Sequence, residues 1–237
     1  MSDLDGKIVA IAGAGGGLGP TVAARLAEAG ATLALTDVDQ GRLDELAADL
    51  ELGEERLDAR PVDLLSADAA AEWAAGLAER FGRIDALLHL VGGWKGGEPF
   101  ATAPLADYEW LHDLLMRTLQ HATRAFHGHL AHDGGRFVLI SSTQAQAPSA
   151  TNAAYAAAKA AAEAWTLALA DSLTESGATA NIVVVNAILT PPMREANPDK
   201  PFKTFTSVED IADAVTYLLS DAAAKMNGAR LALHPRG

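Results

Sequence analysis

A doubly wound α/β fold, with about seven parallel strands and helices on both faces, is what this 237-residue sequence predicts. Three observations carry it. Short apolar runs alternate with helical patterns along the whole chain. The runs are continuous rather than strictly alternating, as expected of parallel strands covered on both sides. No repeat, low-complexity linker or break in composition divides the sequence, so residues 1–237 read as one domain.

The elements follow in order. KIVAIAG (7–13) reads as a buried strand, and PTVAARLAEAG (20–30) as a helix with Pro20 at its start and Gly30 just past its end. ATLALTD (31–37) is the next strand and GRLDELAADLEL (41–52) the next helix. Strand RLDARPVD (56–63), helix ADAAAEWAAGLAERFG (67–82) and strand IDALLHLVGG (84–93) come next, then a long helix over about 107–130. Strand GRFVLIS (135–141), an alanine-rich helix over 152–170, strand ATANIVVVN (178–186), helix VEDIADAVTYLLS (208–220) and strand ARLALH (229–234) complete the alternation. The Pro-rich polar stretch MREANPDKPFKT (193–204) reads as a loop.

Composition narrows the function. A formal net charge of −13 repels phosphate backbones and anionic lipid, so neither nucleic acid nor a membrane surface is an expected partner. With no cysteine there is no disulfide, thiolate nucleophile or Cys-based metal site. No basic segment followed by a long apolar one opens the sequence, and no apolar run reaches the roughly 18 residues of a membrane span. The expected location is the cytoplasm. Histidines 112, 121, 127, 129 and 132 show no i, i+4 pair, so no metal site is expected.

The turn after the first strand, AIAGAGGGLGP, holds five glycines between 13 and 19, with Gly13, Gly17 and Gly19 in a G-x-x-x-G-x-G spacing. Glycine tolerates positive φ and lets a ligand approach the backbone, and the turn ends at a helix N-terminus, where free N–H groups favour a pyrophosphate. The turn reads as a Rossmann-type dinucleotide site; the other reading is a tight βα turn that needs glycine for its own geometry, which five glycines exceed. Asp37, ending the second strand, can accept the ribose hydroxyls of an adenosine and repel a 2′-phosphate. No Arg or Lys stands at 36–38, which favours NAD over NADP. The other role open to Asp37 is a helix cap, which Asp39 can serve instead. Asp63 is open to either role, adenine contact or cap.

Tyr155 and Lys159 lie one turn apart on the alanine helix, so they share a face. Alone, the pair reads equally well as packing and solubilisation. With the glycine spacing, and with Ser142 thirteen residues before Tyr155, the sequence resembles the short-chain dehydrogenase/reductase family from Lys7 to about Leu233. The resemblance implies that Tyr155 is the general acid/base, Lys159 lowers its pKa and holds the nicotinamide ribose, and Ser142 orients the substrate oxygen. It implies a cofactor site made of Gly13, Gly17, Leu18 and Gly19 at the phosphates, and of Asp37 and Asp63 at the adenosine. Val91, Gly92, Ile188 and Thr190, with Tyr155 and Lys159, complete it towards the nicotinamide. Subunit contacts through the long helix and the alanine helix are implied too, hence a homotetramer, or failing that a dimer.

Four departures from the family pattern stand out. Ala12 replaces a threonine. His89 and Leu90 replace two asparagines at the end of strand four, His89 reading as a strand-end histidine bonded to backbone. The asparagine of the long helix is missing; its position falls near Arg117 or Thr118, and Thr118 is the candidate to keep its water-bonding role. The segment NAILTPPM (186–193) reads as shortened, which predicts a smaller lid and a more open site, with Trp94 either touching substrate or packing under the lid. The expected function is an NAD-dependent oxidoreductase acting on a small-molecule secondary alcohol or ketone. The alternatives are a dinucleotide-binding sensor or scaffold without catalysis, and an enzyme that uses the cofactor for isomerisation or dehydration.

Overall fold

The computed structural model describes residues 4–132 and 134–234. Strands β1 (Ile8–Ala12), β2 (Thr32–Thr36), β3 (Leu57–Ala59), β4 (Ala86–His89), β5 (Arg136–Ser142), β6 (Thr179–Val185) and β9 (Arg230–Ala232) form one parallel sheet in the order β3-β2-β1-β4-β5-β6-β9. The chain winds outward from β1 in both directions, which opens a crevice at the carboxyl ends of β1 and β4.

Alternate residues of each strand feed two cores. On one face Val9, Ile11, Leu33 and Leu35 pack with helices α1 (Gly19–Glu28), α2 (Gln40–Leu50) and α8 (Val208–Leu219). On the other, Ala10, Leu87, Phe137 and Leu139 meet α3 (Ala67–Phe81), α5 (Thr118–Leu130) and α6 (Ala153–Ser172). Trp73 of α3 and Phe126 of α5 fill the second core edge to face, their ring centroids 4.8 Å apart. Ala158 and Ala162 of α6 are fully buried, the small side chains letting this helix sit close to its neighbours. No described helix is long and apolar enough to cross a membrane.

Four local features differ from expectation. The third strand keeps only three of the eight residues read as strand: the Arg60 N–H still bonds the Leu35 carbonyl, but Pro61 brings no N–H to the ladder. The fourth strand ends at His89, not at Gly93; its last ladder bond is Leu90 N–H to the Ala12 carbonyl, 2.8 Å. The long helix is α4 (Leu105–His112), a five-residue π turn (Asp113–Arg117) and α5. There the Thr118 N–H reaches back five residues to the Asp113 carbonyl, which leaves the Leu114 carbonyl for the Thr118 hydroxyl, 2.7 Å.

The fourth feature is the region after β6. The sequence predicts a loop over 193–204; residues 193–196 are helical instead, while 197–204 carry neither helix nor strand. β7 (Ala187–Leu189) pairs in parallel with β8 (Phe205–Ser207), and a short helix α7 (Pro191–Ala196) lies between them. Pro191 and Pro192 supply the helix start, where a missing N–H costs nothing.

Candidate active site

Two adjoining cavities fill the crevice. One, of about 340 Å³, reaches Asp37, Val38, Arg42 and Asp63; the other, of about 640 Å³, reaches Ser142, Tyr155 and Lys159. Gly13, Gly16, Leu90, Val91 and Gly92 line both, so the glycine turn and the end of β4 form the floor between them.

Gly13 has φ +80°, and a Cβ there would stand 2.7 Å from the Val91 nitrogen. A side chain is excluded by backbone conformation and by space alike. Gly17 and Leu18 line the larger cavity. Gly19 lines neither; it is buried, and a Cβ on it would collide with the Ala14 carbonyl, so its glycine serves the tight turn itself. No side chain caps α1; the Gly19 N–H donates to the Gly16 carbonyl at 3.1 Å and Pro20 carries none, so a ligand phosphate would meet the turn N–H groups just before them.

The two acids with double readings are relieved of capping. Asp39 caps α2, accepting from the Arg42 N–H at 3.2 Å, and Ser66 caps α3, accepting from the Ala69 N–H at 3.2 Å. The Asp37 carboxylate is pinned by the N–H groups of Gly15 (3.1 Å) and Val38 (2.8 Å). It therefore faces the cavity in one orientation. Sequence reasoning overlooked Arg42, one turn into α2, which lines the same cavity; its Nε lies 3.4 Å from Asp39 Oδ2.

Ser142 ends β5, while Tyr155 and Lys159 project from the first turns of α6 into the larger cavity. The Tyr155 ring packs against Leu111 and Leu115. Burial pushes its phenol pKa up, and a hydrogen bond with Ser142 pulls the other way. The net direction is upward, opposite to the lowering expected from Lys159, because burial outweighs the Ser142 hydrogen bond. The Lys159 ammonium stands over the ring face, 5.9 Å from its centroid, and donates to the Ile140 carbonyl at 2.9 Å. Burial lowers the lysine pKa to about 8, opposed by the Glu163 carboxylate one turn further along α6. At neutral pH Lys159 therefore still carries its charge.

Glu163 went unnoticed in the sequence. It is 2 % exposed and accepts from Ser141 Oγ (2.7 Å), Gln146 Nε2 (3.2 Å) and Arg230 Nε (2.7 Å). It ties the end of β5, the loop after it and β9 to α6. Its spacing of four from Lys159 was the available signal.

His89 and Thr118 need correction. His89 is buried and bonds no backbone group: its Nε2 lies 3.2 Å from Thr118 Oγ1. Because the Thr118 hydroxyl donates to the Leu114 carbonyl, the assigned sense is His89 N–H to Thr118, which leaves Nδ1 without a partner. Burial, reinforced by the charge of Lys159, lowers the His89 pKa to about 3 and keeps it neutral. Thr118 lines the cavity of Asp37 rather than that of Tyr155, and its hydroxyl is committed on both sides, so the geometry does not bring it to Lys159. Ile188 and Thr190, from β7 and the turn into α7, line the larger cavity as expected. Among the described residues no group of three or more His, Cys, Asp or Glu gathers as a metal site requires.

A parallel sheet with a glycine turn at its switch point, and a serine, a tyrosine and a lysine gathered beside that turn, define a class of nicotinamide-dependent oxidoreductase. Comparison with known proteins makes the class specific. A family model described as enoyl-(acyl carrier protein) reductase matches residues 13–234, and the chain belongs to the short-chain dehydrogenase/reductase family. It is 28 % identical over 236 residues to 7alpha-hydroxysteroid dehydrogenase of Escherichia coli K12, covering 95 % of this chain and 91 % of that one. It is 31 % identical to a subunit of (2S)-[(R)-hydroxy(phenyl)methyl]succinyl-CoA dehydrogenase of Thauera aromatica, covering 97 % and 94 %. A crystal structure from Brucella melitensis, described as a short-chain dehydrogenase/reductase of glucose/ribitol dehydrogenase type, superposes with a TM-score of 0.84 at 29 % identity, over 98 % of this chain and 96 % of that one.

Proposed function

We propose that this protein transfers a hydride between NAD(H) and a secondary alcohol or ketone, with Tyr155 as general acid/base. The observation that carries the reading is the convergence of Ser142, Tyr155 and Lys159 on one cavity that is floored by the glycine turn. The site fits the cofactor: Gly13, Gly16 and Gly17 line the cavity with bare backbone, no side chain caps the start of α1, and the oriented Asp37 carboxylate suits ribose hydroxyls. When bound, the nicotinamide accepts or supplies the hydride. The chain does the rest. The Tyr155 hydroxyl gives or takes the proton at the substrate oxygen, Ser142 hydrogen-bonds that oxygen, and the Lys159 ammonium favours the phenolate and holds the ribose. A screen of alcohols and ketones with NAD and NADP tests the assignment; turnover of none, with cofactor bound, returns the protein to the sensor reading.

NADH is expected to bind more tightly than NADPH, because a 2′-phosphate placed beside Asp37 meets a carboxylate. Arg42 is the competing influence, although it is exposed and engaged with Asp39. Fluorescence titration of both cofactors decides, and equal or tighter NADPH binding overturns the NAD assignment. Arg42→Ala is expected to weaken NADPH more than NADH.

The same reading includes a homo-oligomer, a tetramer or failing that a dimer. An apolar groove formed by Phe100, Pro148, Ala153, Ala157 and Ala160 lies along α6, and Phe100 is 72 % exposed. Light scattering at micromolar concentration is expected to give a multiple of the 24.6 kDa chain mass, and a monomer refutes it.

A further inference from the structure

We propose that the substrate of this site is an uncharged molecule with a flat apolar ring body, and that it lies against the indole of Trp94. The proposal rests on the oxidoreductase reading and deepens it. Its first support is the charge of the cavity. Among the side chains lining the larger cavity, Lys159 alone is charged, and its ammonium donates to the Ile140 carbonyl. The side chains that the 94, 142–152 and 193 segments bring to the lining are neutral: Trp94, Ser142, Gln144, Asn152 and Met193. Lys95, the cation next to Trp94 in sequence, is taken by Asp107 at 3.0 Å and does not line this cavity. A carboxylate or phosphate on the substrate would thus be desolvated without a counter-charge, in a chain of net charge −13. An unpaired charge is among the most costly groups to bury.

The second support is how Trp94 is held. It is 59 % exposed, unusual for an indole, yet its orientation is fixed. Its N–H donates to Asn152 Oδ1 at 2.9 Å, Asn152 Nδ2 donates to Ser149 Oγ at 2.8 Å, and the Ser149 N–H donates to Gln144 Oε1 at 2.9 Å. This chain of bonds runs along the 143–152 rim of the cavity. The backbone is docked as well, Gly97 N–H to the Thr151 carbonyl at 2.8 Å, and a Cβ on Gly96 would stand 2.6 Å from Asn152 Oδ1. With its polar edge satisfied, the indole presents ring surface, the contact that aromatic and alicyclic ligands seek. Met193, 39 % exposed on α7, adds an adaptable apolar side chain to the same lining.

The test compares methyl 4-acetylbenzoate with 4-acetylbenzoate, which share ring and ketone and differ in charge. Two measurements are made on the NADH-loaded protein: kcat/KM from NADH oxidation, and ligand affinity from the thermal shift. The neutral ester is expected to exceed the carboxylate by about tenfold or more in both. Trp94→Leu keeps apolar bulk but removes the ring face. It is expected to raise KM for the ester about tenfold while NADH affinity stays unchanged, and to leave KM for 2-butanone within about twofold. Equal or better performance of the carboxylate, or an unchanged KM for the ester in Trp94→Leu, overturns the proposal. Selective binding of the ester without turnover of any ketone supports the ligand class and overturns the oxidoreductase reading instead.

Discussion

Tyr155→Phe is expected to cut turnover by about 10²–10⁴-fold, the usual worth of general acid–base catalysis, and to change little else. The substitution removes one oxygen. The ring that packs against Leu111 and Leu115 remains, so the fold is kept. No hydrogen bond to backbone is lost, since the hydroxyl's partner is Ser142. Stability is therefore expected within about 1 kcal/mol of the parent, and NADH affinity within a few-fold. Steady-state kinetics on the best ketone, with NADH titration and thermal melting alongside, separate the effects. Turnover near that of the parent would falsify the acid/base role of Tyr155.

Lys159→Met is expected to lose on two counts. Rate falls by about 10²-fold or more because the phenolate loses the Lys159 cation beside it. NADH affinity falls by about tenfold to a hundredfold, the value of a hydrogen bond from a charged group, about 1.5–3 kcal/mol. The wild-type pH profile carries the same signature. The lysine pKa is lowered to about 8, so its charge is present below that pH and lost as pH rises through it. The kcat/KM of the wild type should therefore fall above about pH 8, and Lys159→Met should lack that limb. Glu163→Gln removes the anion that opposes the lysine's deprotonation, so it should move the limb to lower pH. A profile flat to pH 10 in the wild type, or an unshifted limb in Glu163→Gln, contradicts this account.

What the sequence disclosed, and what it hid, follows from range. The central strands of the main sheet were legible, because a strand buried on both faces tends to a continuous apolar run, as IVAIA and the end of β6, IVVV, are. The alanine helix and the glycine turn were legible because their constraints are local: propensity in one, a forced φ at Gly13 in the other. Ser142, Tyr155 and Lys159 were found by fixed spacing between adjacent elements. Groups joined across the fold were not visible. Glu163 meets Arg230 from 67 positions away, and nothing near either announces the other. His89 took a partner, Thr118, that became available only through the π turn, and a π turn is set by packing rather than by local propensity. Arg42 is not adjacent to Asp37 in sequence; the first turn of α2 brings it round from five positions on.

The main sheet ends on both sides in strands of three residues, β3 and β9. Those edges are where another chain can add by strand pairing, and here each offers only a short stretch of unpaired backbone. Both carry ionic groups as well: Asp58, buried in β3, is clasped by Arg60 and Arg80, and Arg230 of β9 is fastened to Glu163. Short, charge-bearing edges are a recognised defence against runaway β-assembly. The sheet can thus hold seven largely apolar strands, and the crevice can remain open to an apolar ligand, without the chain becoming a template for aggregation.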